Sequence, residues 1–286
     1  MTDIYFTPYK VSTITCNVDI GVNIDLITLY ENFQIGGGKS KFIWIYYPKI
    51  TDRENKRGEY PKKKRNVKSG GAKKSSFDNQ VTVLYKSDNY PNLKIFKNGN
   101  IQLTGVKDEK NVEAIINEII VEIKRIYEEN PEISSDPDFK TKIGFYNFKI
   151  RMINTDFKTY GDVSHETKFL IRRKVLHKIL ISDSYNNKCS FEPGKYHGVK
   201  LEFFWNTSKE KQNGICSCSD YCFGKGSGIG NKNCKKITVA IFESGSVLIT
   251  GGISFAQIDA AYSYITKIFE NHKDEIRKTD LNTLLL

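Results

Sequence analysis

No apolar run in this 286-residue chain approaches the length of a membrane span. The opening MTDIYFTPYK lacks the charged-then-apolar layout of a secretory signal. A soluble, intracellular protein is the expectation, so the six cysteines read as thiols or metal ligands and not as disulfides. Histidine is scarce. The four residues, His165, His177, His197 and His272, are scattered and have no repeated carboxylate partner, which argues against a histidine-based catalytic centre. GGGKS at 36–40 has Phe33 where a phosphate-binding loop needs its first glycine. GKGSGIG at 224–230 runs into a cysteine and a strand and not into a helix, so both glycine-rich stretches read as loops. No helix-hairpin-helix carries a catalytic Lys or Asp, which argues against a DNA-repair glycosylase.

Acidic residues are the minority, and the formal net charge is +11. The excess is uneven. Residues 52–74 hold ten Lys or Arg against three acids, a surplus of +7. A basic balance of this kind points to nucleic acid, mainly through one loop. Two other readings of the run stay open, a solvated, disordered insertion and a nuclear-localisation-like KKKR at 62–65; Gly70-Gly71 and the lack of apolar residues point to mobility in either case.

What the sequence does contain is an internal duplication. KIFKNGNIQLTG at 94–105 recurs as AIFESGSVLITG at 240–251, and a single offset of 146 maps Phe96 on Phe242, Gly99 on Gly245, Thr104 on Thr250 and Gly105 on Gly251. Each copy predicts a strand, a turn that needs positive φ at its glycine, and a second strand with period-two alternation. Asp108 and Ser254 are predicted N-caps, and Ser254-x-x-Gln257 has the spacing of a capping box. Behind them Val112, Ile116, Ile119 and Ile123, and likewise Ile258, Ala261, Ile265 and Phe269, recur at helical spacing, so each half ends in an amphipathic helix covering a sheet. If Ile95 and Ile241 face those helices, Phe96 and Phe242 face away. One exposed aromatic is ordinary, but its recurrence in both halves suggests that each has something to meet.

Strands are expected at 11–20, around 41–50, at 79–86 and at 145–158, with helices at 24–33 and 165–180. Each half then reads strand, helix, three or four strands, helix, which implies an antiparallel sheet and an α+β fold. The expected division is a first repeat over 1–130 with the basic insertion at about 48–76, a linker over 131–143, and a second repeat over 144–286 with a Cys/Gly-rich insertion at about 206–235.

These residues resemble the TATA-box-binding protein family, whose repeated hairpin carries IF-S-S-G-K and ends in TG. FEPGKYHGV at 191–199 is similar to the family's stirrup segment, VDIGVNIDLITLY at 18–30 to its first strand and helix, and FKI at 148–150 to its second-repeat opening. The resemblance spans nearly the whole chain apart from the insertions and linker, and the divergence looks like that of the TATA-binding-like proteins of large DNA viruses. It implies a pseudo-twofold saddle: a curved ten-strand antiparallel sheet with four helices on the convex face and A·T-rich double-stranded DNA beneath. The implied role is a non-enzymatic transcription initiation factor of the nucleus or a viral transcription compartment, needing no cofactor to bind DNA. By motif, the kinking wedges fall on Phe77 and Phe96 and on Tyr196 and Phe242, and Gln102, Thr104, Leu248 and Thr250 line the face toward the minor groove. The family's central asparagines fall on Thr13 and Met152, with Thr15, Asn17 and Asn154 nearby. Its third-strand arginines fall on Val83 and Glu202, with Lys200 positioned to substitute. Glu192 in the stirrup would face a factor-IIB-like partner and, through it, RNA polymerase machinery. The basic insertion occupies the first stirrup, where a factor-IIA-like partner would dock, and so puts that partnership in doubt. The alternative is a protein-interaction scaffold that kept the fold and lost specific DNA binding, which Met152 and Glu202 favour.

Cys216, Cys218, Cys222 and Cys234 have the spacing C-x-C-x3-C-x11-C. Four thiolates within so short a loop suit a structural zinc ion. A loop with free thiols is the other reading. Cys189 is a spare ligand and Cys16 a core residue.

Overall fold

The computed structural model describes residues 3–38, 40–61, 79–216, 218, 220 and 222–278. In chain order the elements are β1 (Tyr5–Phe6), β2 (Lys10–Asp19), α1 (Leu26–Asn32), β3 (Phe42–Tyr46), β4 (Lys56–Gly58), β5 (Gln80–Tyr85), β6 (Asn92–Phe96), β7 (Asn100–Val106), α2 (Glu109–Glu129), α3 (Phe139–Lys142), β8 (Tyr146–Tyr160), α4 (Arg173–Ile181), β9 (Lys188–Ser190), β10 (Val199–Trp205), β11 (Lys235–Ile241), β12 (Ser246–Gly252), α5 (Phe255–Asn271) and α6 (Lys273–Ile276). They fall into two compact units, Ile14–Ile150 and the remainder, Met1–Thr13 with Arg151–Leu286.

In the unit Ile14–Ile150 the strands lie in the order β4-β3-β5-β6-β7-β2, each antiparallel to its neighbour. In the other unit the order is β8-β12-β11-β10-β9, again antiparallel, with β1 added beside β8. Five strands, a short helix and a long helix thus recur in each unit, and β1 and β4 are additions to the expected ten. The class is α+β. β4 comes from the start of the basic insertion. Arg57 holds it down by donating to the carbonyls of Tyr30 and Phe33 and by lying over the Tyr30 ring.

Alternation along the strands decides the two faces of each sheet. Leu93, Ile95, Ile101 and Leu103 are buried beneath α2, whose Val112, Ile116, Ile119 and Ile123 are buried in turn. Leu201, Val239, Ile241, Val247 and Ile249 are buried likewise in the other unit, where α5 contributes Ile258, Ala261, Ile265 and Phe269. Asp108 caps α2 by accepting from the Asn111 N–H at 2.8 Å. Ser254 makes no side-chain cap. Gln257 reaches past it to accept from the Ile253 N–H at 2.8 Å and donates to the Ser227 carbonyl at 2.9 Å, so the expected capping box is replaced by a bridge to the Cys/Gly-rich insertion.

The second expected helix is shorter than its pattern. Residues 165–172 precede α4 outside the helix, with Phe169 and Ile171 buried and bridges from Lys168 to Tyr160 and from Ile171 to Arg277. Their apolar spacing serves a strand-like segment, because backbone partners are at hand on both sides.

The shared turn and the shared Thr-Gly ending have different physical causes. Gly99 and Gly245 close the hairpins at φ of 76° and 80°, each donating its N–H to the Phe three residues earlier. A Cβ would lie 2.2 Å from the Val22 carbonyl oxygen at the first and 2.3 Å from Thr159 Oγ1 at the second. Gly105 and Gly251, at φ of 107° and 95°, sit where the register slips by one residue: between Ile14 and Thr15 opposite β7, and between Thr250 and Gly252 opposite β8. They are glycine bulges, which bend and twist the strand that carries them.

Candidate nucleic-acid interface

In each unit the sheet face opposite the helices carries mainly polar side chains. On β2, Thr13, Thr15 and Asn17 share this face, since Ile14, Cys16 and Val18 between them are buried. Thr15 stands opposite Thr104, their hydroxyls 3.3 Å apart, and Asn17 stands opposite Gln102. The Asn17 carboxamide oxygen is buried and has no hydrogen-bond partner among the described residues. In the other unit Thr250 is opposite Asn154, and Leu248 is opposite Asp156, which accepts from Ser12 Oγ at 2.5 Å. Met152 is exposed on the same face. The two ladders superpose Thr15 on Asn154 and Asn17 on Asp156.

The aromatics sit at the hairpin ends of these faces. Phe96 is half-buried while Ile95 beside it is sealed. With Ile27, Tyr47, Lys49 and Asn79 it lines an open cleft. Phe242 is half-buried beside the sealed Ile241, and its ring lies 5.7 Å from that of Tyr196, which is 38% exposed. Lys200 Nζ lies 5.3 Å from the Tyr196 ring centroid. The pair meets because residue 198 is glycine: a Cβ there would come within 2.9 Å of Tyr196 and 3.2 Å of Phe242. Phe77, the expected partner of Phe96, lies outside the described residues. Glu192 is exposed, pairs with Lys195 at 2.5 Å, and accepts the Lys195 and Tyr196 N–H groups through its carbonyl, which closes the turn that delivers Tyr196.

The four cysteine sulfurs of the insertion converge, all lying within 4.8 Å of one another. Cys216 and Cys218 approach Cys234 at 3.8 and 3.5 Å. Cys189 is elsewhere, on β9 opposite Leu201, and burial pushes its thiol up to about 12. Cys16 is a core residue whose thiol burial likewise pushes up to about 12. Gly36–Gly38 precede a strand and not a helix. No helix among the described residues is long and apolar enough to cross a membrane.

No protein-family model matches the chain. A curated protein of Acanthamoeba polyphaga mimivirus named "TATA-box-binding protein-like" is 31% identical over 284 residues, a match that covers 94% of this chain and 66% of the relative. The chain belongs to the TATA-box-binding-protein-like family. It spans about two thirds of that relative's length. Among solved structures the TBP of Methanococcus jannaschii matches over 94% of this chain and 99% of its own, at 17% identity and a TM-score of 0.44.

Set against the family's pattern, two features differ from expectation. Val83 faces the helices, buried between Ile45 and Leu93, so it cannot stand where Glu202 stands. Strand register makes Leu84 the counterpart of Glu202 and Thr82 that of Lys200, because the ladder pair Val81–Ile95 corresponds to Val199–Ile241. A slip of one residue exchanges the two faces of a strand, and pattern alone left that slip undetected. Glu202, in turn, does not present a bare negative charge. Lys188 and Lys236 lie 2.9 and 3.2 Å from its two oxygens. Burial alone would raise its carboxyl, but these two ammonium groups outweigh that and hold it below the usual range. The cluster carries a net positive charge. Lys188 and Lys236 were not among the expected site residues, and only the ladder β9-β10-β11 brings them together.

Proposed function

We propose that this chain is a transcription initiation factor without enzymatic activity that binds A·T-rich double-stranded DNA in the minor groove and kinks it with aromatic wedges. The observation that carries this reading is the recurrence, in both units, of a phenylalanine held on the open face one residue after an isoleucine sealed under the helices. A core has no use for that side chain, and neither does a purely polar surface.

The chemistry of the faces supports it. Thr15, Gln102, Thr104, Thr250 and Asn154 are small or uncharged donors and acceptors, suited to a groove where A·T and T·A look alike and only G·C adds an amine. Unstacking a base step costs roughly a few kcal/mol, a figure general to wedge-inserting minor-groove proteins, this family among them. The bent duplex then meets more protein surface. Phe96 is the wedge of the first unit, and the family's motif assigns Phe77 as its partner. Tyr196 and Phe242 are the pair of the second, and Lys200 is placed for a phosphate. The DNA contact needs no cofactor, and a zinc ion at the four cysteines is structural. Glu192 and its turn offer a docking point for a factor-IIB-like partner that brings in polymerase. The place of action is an intracellular compartment that holds DNA, a nucleus or a viral transcription site.

A second reading, an interaction scaffold without specific DNA binding, draws on the exposed Met152 and on Asp156, an acid on the open face. Fluorescence energy transfer across end-labelled A·T-rich duplexes separates the two. Wild type is expected to bind and bend the duplex, and the double variant Phe96→Ala/Phe242→Ala to lose most of the bend. Equal behaviour of the two proteins would favour the scaffold.

A further inference from the structure

The described residues of the insertion between β10 and β11 form no apolar core. Among its described residues between Asn206 and Cys234, the buried ones are Gly214, Gly224 and Gly228, all glycines. Two large apolar side chains of the segment face solvent, Phe223 at 62% and Ile229 at 67% exposed. Side-chain burial therefore offers this segment almost nothing with which to offset the entropy of ordering it. Yet it is tied to the sheet at several points. The Lys236 N–H donates to the Gly224 carbonyl at 2.8 Å, the Phe204 N–H donates to the Gly214 carbonyl at 3.0 Å, and Lys225 forms a backbone bridge with Lys235. Something other than apolar packing fixes it.

The four cysteine sulfurs have the chemistry of that fixing group. Tetrahedral zinc with sulfur at about 2.3 Å places its ligands about 3.8 Å from one another. The observed separations of 3.5 and 3.8 Å fit this, while they are far beyond a disulfide bond. Three of the sulfurs also accept hydrogen bonds suited to a bound thiolate: Cys216 from the Cys218 N–H at 3.5 Å, Cys222 from the Gly224 N–H at 3.3 Å, and Cys234 from the buried Asn206 side chain at 3.7 Å. Such outer contacts orient ligands and temper their charge. An all-thiolate donor set selects a soft ion and leaves no open position for catalysis.

We propose that Cys216, Cys218, Cys222 and Cys234 bind one zinc ion in a closed structural site, and that this ion pins the insertion over Phe204 at the β10–β11 edge of the open sheet face. Phe204 lies on the same side of its strand as Glu202 and Lys200, yet it is only 4% exposed. Gly224 rests against it: a Cβ on Gly224 would be 3.0 Å from the Phe204 ring and 2.4 Å from Lys236 Cβ. Loss of the ion uncovers this ring beside the Lys188–Glu202–Lys236 cluster. The ion thus sets where the polar face ends, whether or not that face meets DNA.

The test uses the full chain, purified without chelator from zinc-supplemented medium. Elemental analysis should give about one zinc per chain, and a mercurial that titrates thiols should release it. Cobalt exchange should give the absorption of a tetrahedral thiolate site. Cys222→Ser/Cys234→Ser should abolish binding and Cys189→Ser should leave it intact. Should the double variant fail to fold, chelation of the wild type still decides. Hydrogen exchange at the Lys236 amide should then rise by at least about tenfold, since metal binding and local folding are coupled. Metal-free protein that takes up no zinc, iron in its place, or zinc retained by the double variant would overturn the assignment. Exchange at Lys236 unchanged by chelation would overturn the pinning.

Discussion

Gly198→Ala offers a way to disturb the second-unit wedge without touching a charge or a core residue. The added methyl would approach Tyr196 Cε1 at 2.9 Å and Phe242 Cε1 at 3.2 Å, and the Ile241 carbonyl oxygen at an ordinary 3.4 Å. Tyr196 is at the surface and can swing away, so the overlap is relieved by breaking the ring pair. Gly198 is not among the residues at positive φ, so alanine adds no backbone strain there. Two small effects on stability then oppose each other. Removing glycine's freedom from the unfolded chain is worth about 0.4–1 kcal/mol, and losing the aromatic contact costs about 0.5–1.5 kcal/mol. Unfolding midpoints of variant and wild type should differ by no more than that balance. DNA binding should respond far more. A stacked aromatic is worth about 1–3 kcal/mol per base, which converts to a loss of roughly five- to 150-fold in affinity. The assay is titration of an end-labelled A·T-rich duplex at one fixed salt concentration, reading affinity and bend together, with Tyr196→Ala and Phe242→Ala in parallel. If Phe242→Ala weakens the complex but Gly198→Ala and Tyr196→Ala bind and bend as wild type, the wedge is not a pair, and the reasoning from Gly198 fails.

Gly99→Ala and Gly245→Ala should each destabilise the fold. Forced positive φ alone costs about 1–3 kcal/mol, and the backbone oxygens 2.2 and 2.6 Å from the new methyl groups leave little room to relax; thermal unfolding measures it, and an unchanged midpoint would contradict the turn geometry. Glu202→Gln removes the negative charge between Lys188 and Lys236, so binding to duplex should tighten, and the slope of log affinity against log salt should steepen by about one unit; an unchanged slope would place the cluster away from DNA. The Glu202 carboxyl is held below its ordinary value by those lysines, and Glu243 is held low by Lys278 and, after an opposing burial effect, by Arg173. A depressed carboxyl gives stability that is fully present above its unfolded value and lost as pH falls through the lower folded one. Denaturant midpoints should therefore be flat from neutrality down to about 4.5 and fall below it, and Glu243→Gln should flatten that fall.

By itself, the sequence determined the repeat, the face that each strand of the repeated hairpins buries and the residues at which those hairpins turn. These follow from periods of two and of 3.6 and from glycine's access to positive φ, all local properties carried by a few neighbouring residues. It also marked Phe96 and Phe242, because an offset of 146 needs no coordinates. The tertiary structure decided what depends on register. Val83 was read as the counterpart of Glu202, yet it is sealed in the core, and nothing local distinguishes it from Leu84 on a strand where every residue is buried. The lysines that flank Glu202 come from the two neighbouring strands, and the cover over Phe204 comes from a distant loop, through Gly224. Residues 165–172 were read as helix but stay outside it, because β8 on one side and Arg277 on the other supply backbone partners that a helix would have refused. Pairing across strands joins residues that are distant in the chain, and periodicity, which is blind to distance, cannot set it.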